Sequence, residues 1–222
     1  MPELYIITGS NGAGKSTVAV NFLPDHIRSK YTVFDGDKLF AEKRKELYPE
    51  IMPVFKKASE AANEWVSKHF SELVNDAIKL NDNFVYEGHF REESTWSIPN
   101  RFKECGYSIN LIFFGVKDYD LSMLRVINRH KEGGHYVSPA EIDLNFRGNL
   151  IMLNAHLDLV DNLQVFDASG TLPKELVRMT GTRVDNHVGD HELPDWFTTF
   201  LPDLTRKLFP EIKPKRCKRL RR

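Results

Sequence analysis

Residues 9 to 16, Gly9-Ser10-Asn11-Gly12-Ala13-Gly14-Lys15-Ser16, fit the pattern GxxxxGK[ST], and Thr17 follows. The residue types have chemical reasons. Glycines at 9, 12 and 14 can take backbone angles closed to other residues, so successive N–H groups turn inward and surround an anion. Lys15 supplies a mobile positive charge for β- and γ-phosphates, and the Ser16 hydroxyl is suited to ligate Mg²⁺. A helix starting near Ser16 would aim its positive end at the same anion. The apolar run Leu4 to Ile7 ahead of the loop reads as a buried strand. Val18-Ala19-Val20 and Phe22-Leu23 continue as helix behind it. A glycine-rich turn that only caps a helix would leave both flanks unaccounted for. The expectation is a nucleoside triphosphate site, for ATP or alternatively GTP.

Phosphoryl transfer needs further parts. The acceptor hydroxyl must be held in line and deprotonated, and charge on the moving phosphoryl group must be neutralised. Asp37, in Asp35-Gly36-Asp37, is the candidate for the first task; the alternative is a turn aspartate capping the next helix, a role that suits Asp35 better. Glu87, in Glu87-Gly88-His89, could act on Mg²⁺ through water, contact the acceptor, or pair with a neighbouring base. Arg125 and Arg129 are four apart and share a helix face, and with Lys131 they precede Gly133-Gly134. Such a segment could close over bound substrate, or present only a solvated basic face. Arg147 could reach the γ-phosphate or pair with Glu141 or Asp143.

These residues sit where an α/β fold would place them. Short apolar runs at Tyr31–Phe34, Phe84–Tyr86, Ile109–Phe114 and Leu163–Phe166 read as four further strands. Carboxylates at strand C-termini lie on the edge where α/β sheets bind ligands. Between them the pattern is helical: Lys38 to about Leu80, broken by Pro49 and Pro53; Trp96 to Cys105; Asp120 to Arg129; and Ser138-Pro139 to about Leu159. Five strands separated by helices predict a doubly wound, mainly parallel sheet in a domain spanning 1–180. Residues 181–212 read as a C-terminal appendage packed on it, and 213–222 as a basic tail.

The chain has 222 residues, 41 % apolar and 28 % charged, with 31 basic and 31 acidic side chains. Seven of the basic residues lie in 213–222 (KPKRCKRLRR), leaving 24 basic against 31 acidic before it, so a body of about −7 carries a tail of +7. The tail could hold nucleic acid or an acidic membrane surface, or fold over the acidic body. No apolar run is long enough to span a bilayer, and no secretion signal is seen. Cys105 and Cys217 suggest neither a disulfide framework nor zinc-ligand pairs, so a reducing cytoplasm is expected. His187 and His191 are four apart but lie among loop-forming residues, and the three tryptophans are expected in the core. An NKxD motif, an LSGGQ-like signature and a strand ending in Asp-Glu are all missing. Their absence weakens the GTPase, transporter and motor ATPase classes and leaves the small-kinase layout.

GSNGAGKST, VFDGDKLF, FVYEGHF and RVINRHKEGGHYVSPAEI, in this order, resemble the zeta-toxin family of phosphate-loop kinases over roughly residues 3 to 170, closest to its stand-alone bacterial branch. The resemblance implies an ATP-dependent kinase whose acceptors are UDP-N-acetyl amino sugars, phosphorylated on the sugar 3′-hydroxyl. It implies Lys15 at the phosphates, Ser16 at Mg²⁺, Asp37 as base and Arg129 in the lid. Glu72 falls near the family's substrate-binding acid, offset by about a residue. A second lid arginine has no equivalent, and His135 falls nearby. The family's toxins are neutralised by an antitoxin helix absent from this chain, so an antitoxin would be a separate protein. A different class of function is a nucleotide-gated ATPase that binds polyanions through the tail, without small-molecule kinase activity.

Overall fold

The computed structural model describes residues 1–131 and 137–211. The glycine pair at 133–134, His135 and the basic tail lie outside the described residues. In chain order the elements are β1 (Glu3–Gly9), α1 (Lys15–Val18), α2 (Asp25–Arg28), β2 (Phe34–Asp35), α3 (Gly36–Leu47), α4 (Phe55–Leu80), β3 (Phe84–Glu87), α5 (Ser97–Glu104), β4 (Ser108–Gly115), α6 (Tyr119–Lys131), α7 (Pro139–Ala155), β5 (Asn162–Asp167), β6 (Lys174–Thr180), β7 (Arg183–His187), α8 (Asp195–Phe200) and α9 (Pro202–Leu208).

The sheet has seven strands, ordered β2-β3-β1-β4-β5-β6-β7, rather than the five expected. The first five are parallel, and β6 and β7 add antiparallel pairs at one edge. The chain leaves β1 toward β2 and β3 on one side and then crosses to β4 on the other. The C-terminal end of β1 therefore opens into the crevice where strand order reverses, the usual ligand position in such sheets. β4 is buried along its whole length, as its unbroken apolar run requires.

Residues 181–211 pack on the same sheet and core as the residues before them. The 180/181 border falls inside the β6–β7 hairpin, with Thr180 paired to Arg183. Trp196, Phe197, Leu201 and Leu204 are buried in the main hydrophobic core. Trp196 and Trp96 are core residues, whereas Trp65 is 38 % exposed and stacks on His69 under Lys43. His187 turns its ring edge to Phe209, and among the described residues no group of His, Cys, Asp and Glu could hold a metal ion. No helix among the described residues is long and apolar enough to cross a membrane.

Candidate phosphoryl-transfer site

The loop leaves β1 through Gly9 at φ 132°, where a Cβ would stand 2.0 Å from the Phe114 carbonyl oxygen of β4. Glycine is therefore obligatory at that step. Ser10 N donates to the same carbonyl at 3.0 Å, tying the loop to the sheet. Gly12, at φ 69°, passes so close to α6 that a Cβ would meet Arg125 Cβ at 2.8 Å. The helix behind the loop is short: α1 makes one turn and continues as 3₁₀ helix over Ala19–Phe22. Ala13 is buried inside the loop, and Thr17 is exposed one residue past Ser16.

Lys15 is 7 % exposed, and its ammonium donates to the Gly9 and Ser10 carbonyls at 3.2 and 3.0 Å. Glu87 stands 3.9 Å from it and accepts a hydrogen bond from Ser16 Oγ at 2.9 Å. Burial lowers the Lys15 pKa, and Arg129 lowers it further, while Glu87, Asp37 and Asp35 oppose the shift. Burial raises the Glu87 carboxyl above its ordinary value, and Asp35 and Asp37 add to that, while Lys15 and Ser16 oppose it. Desolvation outweighs the attraction between the two partners at this separation.

The cleft has a volume of about 290 Å³, and Asn11, Gly12, Lys15, Ser16, Asp35, Asp37, Lys38, Ala41, Glu87, His89 and Arg129 line it. Asp35 caps α3, accepting from Lys38 N at 3.0 Å. Asp37 is thereby released from capping and stands exposed in the first turn of α3. Arg129 reaches the cleft from the last turn of α6. Three cations (Lys15, Lys38, Arg129) face three carboxylates (Asp35, Asp37, Glu87). A polyphosphate would meet those carboxylates across a short gap, and an intervening divalent cation resolves that repulsion. Ser16 Oγ and Glu87 form an all-oxygen pair suited to Mg²⁺, which keeps several waters and phosphate oxygens among its ligands.

Three of the expected residues are not among those lining this cleft. Arg125 donates to the carbonyls of Gly12, Ala168, Ser169 and Gly170, at 2.6–3.3 Å. Its guanidinium clamps the loop to the segment after β5, with no donor shown pointing into the cleft. Arg147 bonds Asp143 at 2.8 Å along α7 and lines no part of the cleft. Glu72 is exposed on α4, 3.9 Å from Lys68. Val66, Ser67 and Phe70 form the face of α4 that turns toward β3. Two residues past Phe70 the helix has turned about 200°, so Glu72 faces away.

Three residues given no role from sequence complete the site. Asn145 and Asn149 are four apart on one face of α7 and buried, and His89 lies beside them. Arg91 donates to Asn145 Oδ1 at 2.9 Å, so Asn145 Nδ2 must donate to Asn11 Oδ1, also at 2.9 Å. That leaves the Asn11 amide NH₂ toward His89 Nε2, 3.5 Å away. Phe90 N donates to Asn149 Oδ1 at 2.6 Å, so Asn149 Nδ2 donates to the Gly9 carbonyl and to His89 Nδ1, each at 3.1 Å. Both ring nitrogens of His89 thus face amide donors, and a neutral ring accepts at only one. The shorter contact assigns the acceptor role to Nδ1 and the proton to Nε2, which faces the Asn11 amide 3.5 Å away at the wall of the cleft. Burial, together with Lys15, Arg91 and Arg129, lowers the His89 pKa well below its ordinary 6.5. His89 is a neutral N–H donor at the cleft wall. Two asparagines at i, i+4 on the buried face of α7 were the available signal.

The fold is shared with solved structures. One, from the PezAT chromosomal toxin–antitoxin system of Streptococcus pneumoniae, matches at TM-score 0.57 and 19 % identity, over 97 % of this chain and 81 % of that one. A chain of the AvrRxo1-ORF1:AvrRxo1-ORF2 complex with sulphate ions matches at TM-score 0.64 and 14 % identity, over 97 % of this chain and 66 % of that one. The AvrRxo1-ORF1:-ORF2 structure with ATP matches at TM-score 0.64 and 13 % identity, with the same coverage. No curated protein matches the chain in sequence. The zeta toxin family model matches residues 1–173, and the chain belongs to that family.

Proposed function

We propose that the protein is an ATP- and Mg²⁺-dependent phosphotransferase that moves the γ-phosphoryl group to a hydroxyl of a small molecule. The observation that carries this reading is one cleft lined by Lys15, Ser16, Asp37, Glu87 and Arg129 at the switch point of the sheet. The loop amides of residues 9–16 and the Lys15 ammonium hold the phosphates. Ser16, with Glu87 beside it, would hold a magnesium ion, which would supply charge neutralisation at the phosphates. Asp37 orients the acceptor hydroxyl and takes its proton. Arg129 and the His89 N–H stabilise negative charge on the phosphoryl oxygens.

Family membership supports a UDP-N-acetyl amino sugar, phosphorylated at its 3′-hydroxyl, as the first acceptor to test. Family membership also supports a separate antitoxin protein as partner. The test is calorimetric ATP binding beside transfer kinetics. Lys15→Met should weaken ATP on the order of 10- to 100-fold, the worth of a charge-assisted hydrogen bond. Asp37→Asn should keep ATP affinity and lower transfer by about 10²- to 10⁴-fold. Wild-type ATP affinity in Lys15→Met, or full transfer in Asp37→Asn, would overturn the respective assignments.

A further inference from the structure

Phosphoryl transfer constrains where the nucleoside lies, because attacking and leaving oxygens stand roughly in line on opposite sides of the γ-phosphorus. Asp37 follows β2 and Glu87 ends β3, so the acceptor approaches from the β2–β3 side of the phosphate loop. ADP therefore extends to the other side of β1, over the C-terminal ends of β4 and β5. Residues 116–118 after β4, residues 168–172 after β5, and α6 make the structure there.

Selecting adenine takes an acceptor for its amino group, and selecting guanine takes an acceptor for its own N–H groups. Both kinds of acceptor are engaged in this region. The carbonyls of Ala168, Ser169 and Gly170 all accept from the Arg125 guanidinium, at 2.6, 2.8 and 3.2 Å. The Asp167 carboxylate accepts from Ser169 N at 3.0 Å and from the Ser169 hydroxyl, which itself accepts from Lys117 N at 2.7 Å. The Asp118 carboxylate accepts from Leu121 N at 2.8 Å and stands 3.8 Å from the Lys117 ammonium.

A flat face is what remains. With the Gly12 carbonyl at 3.3 Å, Arg125 donates to four carbonyls, all in the plane of its guanidinium, so the group is pinned by its edge. Hydrogen bonds in the plane leave the faces for stacking on an aromatic ring. Arg125 is half-buried, so part of its surface meets solvent. Leu172, two residues past the last of those carbonyls, is 80 % exposed and offers apolar surface for a ring to cover.

We propose that the Arg125 guanidinium seats the nucleobase by stacking on its face while no group reads its edge, so that ATP and GTP are used alike. The inference rests on the phosphotransferase reading and adds a base seat to it. Arg125 thus does two things: its edge holds the phosphate loop against the segment after β5, and its face holds the purine.

The experiment is calorimetry on the full chain with Mg²⁺ and without acceptor. The probes are ATP, GTP, 1,N⁶-ethenoadenosine triphosphate, whose amino edge is blocked, and inorganic tripolyphosphate, which has no base. In wild type the three nucleotides should bind within about threefold of one another, and tripolyphosphate about tenfold more weakly. Arg125→Lys keeps the charge and removes the planar face, so it should cost the nucleotides about tenfold and tripolyphosphate less than about threefold. Thermal unfolding checks that the variant folds, and the edge-blocked nucleotide tests the same claim on wild type. A wider spread among the three nucleotides would show that the edge is read and overturn the proposal. So would Arg125→Lys weakening tripolyphosphate as much as ATP, since the guanidinium would then act only as a clamp on the loop. Wild type that binds neither ATP nor tripolyphosphate would sink the phosphotransferase reading itself, whereas either of the other two results would sink only the base seat.

Discussion

Asn149→Ala is the sharpest perturbation of the site's architecture. The side chain is 1 % exposed and makes three hydrogen bonds: it accepts from Phe90 N and donates to the Gly9 carbonyl and to His89 Nδ1. Truncation leaves the buried Phe90 amide without a partner, while the Gly9 carbonyl keeps the Lys15 ammonium. The orphaned amide costs about 1–3 kcal/mol before any cavity cost. A domain of this kind is stable by about 5–15 kcal/mol in total. With an m-value of about 2 kcal/mol/M in urea, the midpoint should fall by about 0.5–1.5 M. Urea unfolding followed by tryptophan fluorescence reads this directly, since Trp96 and Trp196 are both buried. Asn75→Ala is the control: its partner Arg101 is exposed, and the midpoint should barely move. An Asn149→Ala loss below about 1 kcal/mol would refute the reasoning, because no buried polar group would then have been orphaned.

Other predictions concern charge and packing. Burial holds the Glu87 carboxyl above its ordinary 4.5, so folding favours its protonated form. Its favourable contribution is complete below about pH 4.5 and is lost as pH rises through the raised value. Glu87→Gln should therefore gain stability relative to wild type between about pH 4.5 and 7 in urea titrations, and parallel pH dependences would contradict the assignment. His89 should show a neutral imidazole with its proton on Nε2 in ¹⁵N-resolved NMR from about pH 8 down to 6; a titration near 6.5 or an Nδ1–H tautomer would dismantle the donor network. Gly115→Ala would put a Cβ 2.5 Å from the Trp196 indole and should cost about 1–3 kcal/mol. Unchanged thermal stability would mean that α8 does not seat firmly on β4.

What the sequence disclosed depended on range. The phosphate loop is contiguous, and its glycines answer to local backbone demands, so Gly9 to Ser16 could be read directly. Asp35 as cap and Asp37 as the freer carboxylate also followed from local turn chemistry, and Lys38 N completes the cap. β1, β3, β4 and β5 were legible from their largely buried apolar runs, whereas β2 is only the half-buried pair Phe34–Asp35 and shares just Phe34 with the expected Tyr31–Phe34. β7 was not, because an edge strand with the exposed or half-buried run Arg183-Val184-Asp185-Asn186-His187 carries no such pattern. Arg125 and Arg147 show the limit on side chains. Spacing put them on helices and already offered Asp143 as one partner for Arg147, the pairing the structure has, but only tertiary structure reveals that Arg125 clamps backbone carbonyls of a distant segment. His89 joins Asn149 across 60 residues, a relation no local window contains. The Glu72 expectation came from the family resemblance, at a spacing offset by about a residue, and helix phase turns Glu72 away from the face of α4 that meets β3.

The central claim is phosphoryl transfer to a small-molecule hydroxyl, with Asp37 taking the proton. The most direct measurement is ³¹P NMR of the full chain with Mg²⁺, ATP and UDP-N-acetylglucosamine, run on wild type and Asp37→Asn. The account predicts a new phosphomonoester resonance growing with ADP in wild type and nearly absent in Asp37→Asn. Inorganic phosphate as the sole new product, or a phosphomonoester formed equally by both proteins, would contradict it.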